Sequence, residues 1–117
     1  MLPHQRVPFA HDSERDVAAV LDFYDIEWHY EPTTFILRAD AHGRPLAGFT
    51  PDFYLPGFDL YVEVTTLRQR LVTKKNRKVR QLHQEYPGVR CKMLYRRDVA
   101  ALAAQFGLRS TQALLAS

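Results

Sequence analysis

Apolar side chains recur along this chain first with the period of a helix and then with that of a strand. Val17, Val20, Leu21 and Tyr24 fall on one helical face, and Ser13 or Asp12 stands where a helix ending near Asp25 would be capped. Residues 26–31 alternate instead, with aromatic and branched side chains up to Pro32, and residues 35–38 repeat that habit; both stretches predict strands. Residues 40–45 have the composition of a turn. Beyond them, residues 48–55 and 60–65 flank Pro56-Gly57 and predict a hairpin of two strands.

After Thr65 the alternation stops. Val72, Val79, Leu82 and Tyr86 fall close to one face of a helix over about residues 73–86, which Pro87-Gly88 ends. Residues 89–95 predict a further strand, and Val99, Leu102, Ala103 and Phe106 a helix capped by Asp98 or its neighbours and ended by Gly107. Residues 110–115 predict one last short helix. The order describes an α/β protein with a mixed central sheet flanked by helices and a parallel crossover from residues 60–65 to 89–95.

Length and composition narrow this. With 117 residues, 46% of them hydrophobic, the chain supports one core and a single domain over 1–117. No run is apolar or repetitive enough for a membrane span, coiled coil or low-complexity tail. The start, Met1 to Arg6, lacks the apolar stretch of a secretory signal, and Cys91 has no second cysteine to pair with, so a cytoplasmic location is expected. Charge adds a direction. The net value is only +3, but Arg68, Arg70, Lys74, Lys75, Arg77, Lys78 and Arg80 follow one another without an acid, while acidic residues concentrate before residue 64. One surface should therefore be positive, as a nucleic-acid partner requires.

The candidate chemistry lies in the predicted hairpin. Asp52 follows Pro51 in one strand and Glu63 stands near the end of the next, so pairing about the Pro-Gly turn brings both carboxylates to one end of the sheet. Paired oxygen donors suit Mg²⁺, which takes one or two protein carboxylates and completes its shell with water and phosphate oxygens. Glu63 lies between Val62 and Val64, where an unpaired charge is costly to bury, so it should face a partner, a metal or water. The plainer reading makes Asp52 a strand-end acid. Histidines offer no metal-ligand spacing, so His11, His29 and His83 are expected to be structural or surface residues. Cys91 alternates with Arg90 and Lys92 and is expected to be a buried thiol, and no glycine-rich phosphate loop is present.

The run Pro51-Asp52-Phe53-Tyr54-Leu55-Pro56, followed by Tyr61-Val62-Glu63-Val64-Thr65, resembles the PD-(D/E)XK nuclease superfamily, to which restriction endonucleases and Holliday-junction resolvases belong. The resemblance covers most of the chain. It implies a restriction-endonuclease-like αβββαβ core and phosphodiester hydrolysis with Mg²⁺ or Mn²⁺ held by Asp52 and Glu63. It also implies an acid on the leading helix, here Glu14, although an acid in a first helical turn is favourable without any catalytic reason. The motif lysine, two residues past the second acid, is Thr65 in this chain. Members of the superfamily can supply that cation from the next helix, where Lys75 shares the inward side with Val72 and Val79; Lys78 and Lys74 follow as candidates. Thr65 is either a strand former or a hydroxyl that holds a water where the family keeps an ammonium.

These expectations define a small endonuclease acting on nucleic acid, DNA first. Arg68, Arg70, Lys74, Arg77 and Lys78 would bind the phosphate backbone with little regard to sequence, although charge runs are often merely solvated. Wrapping a duplex with so short a chain calls for a homodimer. The rival is a catalytically inactive nuclease-fold module that binds nucleic acid or a protein partner without metal.

Overall fold

The computed structural model describes residues 2–65 and 69–105, which form a mixed α/β fold. Helices α1 (Pro3–Arg6) and α2 (Asp12–Phe23) are followed by strands β1 (His29–Tyr30), β2 (Phe35–Ala39), β3 (Pro45–Phe49) and β4 (Phe53–Leu55). A 3-10 turn, Pro56–Phe58, leads to β5 (Leu60–Thr65), and then α3 (Gln69–Glu85), β6 (Cys91–Tyr95) and α4 (Arg96–Gln105) complete the order. Four strands make a mixed sheet in the order β1-β4-β5-β6, antiparallel except for the parallel pair β5 and β6 joined through α3. Strands β2 and β3 form a separate antiparallel ribbon.

Strand β5 is covered on both sides, and its alternation decides what each side contains. Val62 and Val64 join Phe53 and Leu55 of β4 in a core with Val17 and Ala18 of α2 and Val99 of α4. Tyr61 contributes to a second core, in which Val79 and Leu82 of α3 meet Phe35, Leu37 and Phe49 of the ribbon. Polar ties from α3 pin it over that ribbon: Gln81 Nε2 donates to the Leu37 carbonyl at 3.1 Å and the Tyr86 hydroxyl to the Ile36 carbonyl at 2.9 Å. Phe53 is fully buried, with Phe9, Trp28 and Tyr30 arranged around its ring at centroid distances of 5.6–5.9 Å. Burying a side chain of this size is worth roughly 1.5–3 kcal/mol.

Several predicted boundaries shift, each for a local reason. The strand expected over 26–31 shrinks to His29–Tyr30, because the chain before it is spent on closing α2: Ile26 N–H donates to the Leu21 carbonyl at 2.9 Å and Trp28 Nε1 to Asp22 Oδ1 at 2.8 Å. Glu31 then ends it with φ at +48°. The strand expected over 48–55 is two strands in different sheets, broken at Thr50-Pro51-Asp52, where proline has no N–H for a ladder. His11, not Ser13 or Asp12, is the cap residue of α2; both of those lie inside the helix, where Asp12 pairs with Arg15 at 3.4 Å.

Helix α3 starts four residues earlier than its apolar face suggested, at Gln69 rather than 73. Strand β6 starts two later, at Cys91 rather than 89. Asp98 caps α4 from within its first turn, its Oδ2 accepting the Tyr95 N–H at 2.8 Å. The stop expected at Gly107 and the helix expected over 110–115 lie outside the described residues. Among the described residues no helix is long and apolar enough to cross a membrane.

Candidate active site

The register of β4 against β5 pairs Phe53 with Val62, and one step further along it sets Asp52 opposite Glu63. The two are tied to each other's strands. Asp52 N–H donates to Glu63 Oε1 at 3.1 Å, and Asp52 Oδ2 accepts the Val64 N–H at 2.8 Å. Burial first, and the nearby Glu63 second, push the Asp52 carboxyl up to about 8; the Val64 N–H and Lys75 pull the other way. Glu63 itself is only 4% exposed.

A buried carboxylate needs a partner, and α3 supplies it. Lys75 Nζ lies 2.8 Å from Glu63 Oε2 and 3.2 Å from the Val64 carbonyl, so the ammonium sits between the acid and the strand backbone. Lys75 is thus the lysine of the basic helix that reaches the acids. Thr65, on the same side of β5 as Glu63, is 1% exposed, and its hydroxyl has no hydrogen-bond partner among the described residues. A buried hydroxyl left so costs roughly 1–3 kcal/mol.

Opposite Asp52 stands a second acidic wall that combines an expected residue with an unexpected one. Glu14, Glu31 and Asp52 offer carboxylate oxygens that all lie within 4.8 Å of one another. Glu14 is 3% exposed in the first turn of α2 and accepts a hydrogen bond from the Tyr30 hydroxyl. That phenol is driven far above its ordinary value, first by burial and then by its bond to Glu14, so it remains a donor and fixes the carboxylate. Glu31 is exposed and its N–H donates to the Asp52 carbonyl at 2.8 Å. Sequence reasoning missed Glu31 and Tyr30. The only local signal was an acid immediately before Pro32 at the end of an aromatic strand, and its left-handed φ was not predictable from that.

The other candidates disperse. Lys78 Nζ donates to the Gly48 carbonyl at 3.3 Å, Lys74 and Arg77 are exposed, and all three ride on α3. Arg68 lies outside the described residues, and Arg70 is placed only by its backbone in the first turn of α3. His11, His29 and His83 are exposed, with His29 Nε2 3.0 Å from Glu27. Cys91 is half-buried rather than buried; burial, followed by Glu63 and Asp52, pushes its thiol up to about 12, which disfavours the thiolate that a nucleophile needs.

The donor set is therefore all carboxylate oxygen, with one ammonium on its far side and a protonated phenol on its near side. Hard cations such as Mg²⁺ or Mn²⁺ match such donors, whereas a set without thiolate or imidazole is a poor one for zinc. Comparison of the chain with protein-family models, with curated proteins and with solved structures finds no match.

Proposed function

We propose that the protein is a divalent-metal-dependent endonuclease that hydrolyses phosphodiester bonds of DNA on a restriction-endonuclease-like αβββαβ core. The observation that carries this reading is the placement of Lys75 at 2.8 Å from Glu63, beside Asp52, in a chain whose motif lysine is replaced by Thr65. A cation delivered from the next helix to the second acid of the motif is a costly arrangement to maintain inside a protein, because it takes two charges out of water. Asp52 and Glu63, with Glu14 and Glu31 adjoining Asp52, are the residues that would hold Mg²⁺ or Mn²⁺. When bound, the ion supplies Lewis acidity to water and to the phosphoryl oxygens.

The chain's own groups do the rest. Tyr30 orients Glu14, leaving that carboxylate to accept a hydrogen from water. Lys75 presents its remaining N–H to the water or to a phosphate oxygen. Arg68, Arg70, Lys74, Arg77 and Lys78 bind the backbone, and a homodimer would embrace a duplex. The test is incubation with plasmid, single-stranded and branched DNA, with and without Mg²⁺ or Mn²⁺. Cleavage that needs metal and disappears in Asp52→Ala supports the reading; absence of cleavage from every substrate, or its persistence in Asp52→Ala, overturns it.

One observation favours the inactive-module reading. Both oxygens of Glu63 already have protein donors, Asp52 N–H and Lys75, so this part of the site is satisfied without an ion. Calorimetry decides between the two: DNA binding retained with no detectable heat from millimolar Mn²⁺ selects the module.

A further inference from the structure

Beside the acids, α3 and the end of the β2-β3 ribbon border an open cavity of about 380 Å³. Lys74, Lys75 and Lys78 line one part of it; Glu63 and the segment Gly48, Phe49 and Thr50 line the rest. Its volume falls within the roughly 300–1,000 Å³ of sites that hold small molecules, and is larger than a lone phosphate needs.

Charge decides what kind of molecule fits. Three ammoniums face one carboxylate, and Lys75 is engaged with that carboxylate at 2.8 Å. Among the described residues neither Lys74 nor Lys78 has an acidic partner; Lys78 reaches only the neutral Gly48 carbonyl at 3.3 Å. The two are one helical turn apart, where like charges repel, so an anion between them relieves a cost the free protein carries. A phosphodiester in a continuous strand offers a single negative charge. A phosphate monoester offers nearly two at neutral pH, together with three acceptor oxygens, and so matches the two uncompensated ammoniums.

We propose that this cavity is a subsite for a terminal nucleotide, its phosphate monoester held by Lys74 and Lys78. The inference rests on the nuclease reading for its role: Glu63 belongs both to the cavity and to the acid cluster, so a nucleotide seated here places the adjoining bond of the strand beside Asp52. An internal phosphodiester of the duplex would meet the same two ammoniums with about one charge fewer, so nicks and strand ends would bind more tightly than the uninterrupted backbone, which is still bound.

The test is titration of the ¹⁵N-labelled protein in EDTA with thymidine 5′-monophosphate, thymidine 3′-monophosphate, thymidine and inorganic phosphate, read by amide shifts. Saturable shifts at Gly48–Thr50 and along α3 with at least one monophosphate, weaker saturation with inorganic phosphate and none with thymidine are expected. Lys74→Gln and Lys78→Gln should each weaken the nucleotide about tenfold or more, and Lys→Arg at either position should restore most of it. A dispersed spectrum confirms that each variant is folded. The proposal is overturned if neither monophosphate saturates, if inorganic phosphate binds as tightly as the nucleotide, or if both Gln variants bind as the parent does. Because this binding is measured without metal, it is separable from catalysis: nucleotide binding with no cleavage leaves the subsite standing and removes the nuclease, and metal-dependent cleavage with no nucleotide binding does the reverse.

Discussion

The two faces of β5 show how one strand of six residues serves two purposes. On the side of α2 and α4, Val62 and Val64 close an apolar core around the fully buried Phe53. On the side of α3, Glu63 and Thr65 are just as inaccessible, at 4% and 1% exposed, yet carry a charge and an unpartnered hydroxyl. The first face is apolar at both positions, whereas on the second only Tyr61 joins an apolar core and the next two inward positions are polar. A strand that spent both faces on stability would have no reason to bury a glutamate, and that asymmetry locates the candidate chemistry.

The comparison is broken most severely from the apolar side. Phe53→Ala should cost about 3–5 kcal/mol, measured as a fall in the urea midpoint, because it empties the centre of the aromatic cluster formed with Phe9, Trp28 and Tyr30. On the polar side, Lys75→Ala should cost about 3 kcal/mol, since it strands the Glu63 charge inside the protein. A double variant, Glu63→Gln with Lys75→Met, should recover most of that loss. A recovery of nothing would mean that Lys75 stabilises by packing rather than by neutralising the acid.

Titration sharpens the contrast further. The unfolded Asp52 carboxyl releases its proton near 3.8 and the folded one near 8, so between those values the folded state holds the extra proton. Stability of the metal-free protein should therefore fall as pH rises from about 4 to about 8, by a few kcal/mol at most. Asp52→Asn should flatten this slope, and Mn²⁺ should oppose it by stabilising the ionised form. A metal-free melting temperature that rises steadily over the same range, in the parent but not in Asp52→Asn, would contradict the assigned direction. The smallest effect is expected at Thr65. Thr65→Val should stabilise by about 1 kcal/mol, because it removes a buried hydroxyl that has no partner among the described residues, and a thermal melt that shows no gain would contradict this.

What the sequence revealed and what it concealed differ in range. Glu63 between two valines announced a buried charge in need of a partner, and the inward position of Lys75 beside Val72 and Val79 pointed to the partner, because both follow from the periods of a strand and a helix. The parallel crossover was legible for the same reason: a strand, a helix of one apolar face and another strand leave few ways to connect. Glu31 was not. Its place beside Asp52 depends on a backbone contact across 21 positions of sequence and on a left-handed turn at a residue type that rarely adopts one. The division of residues 48–55 between two sheets was equally hidden, since Phe49 and Phe53 are both strand-like and only their burial in different cores tells them apart.

The crossed bonds between Asp52 and the Glu63-Val64 stretch tie chemistry to the correctness of folding. Sliding β4 by one residue against β5 would turn one acid away and break both bonds at once. The strand register itself therefore assembles the acid pair, and a chain with this hairpin out of step would lack it however well its two cores were packed.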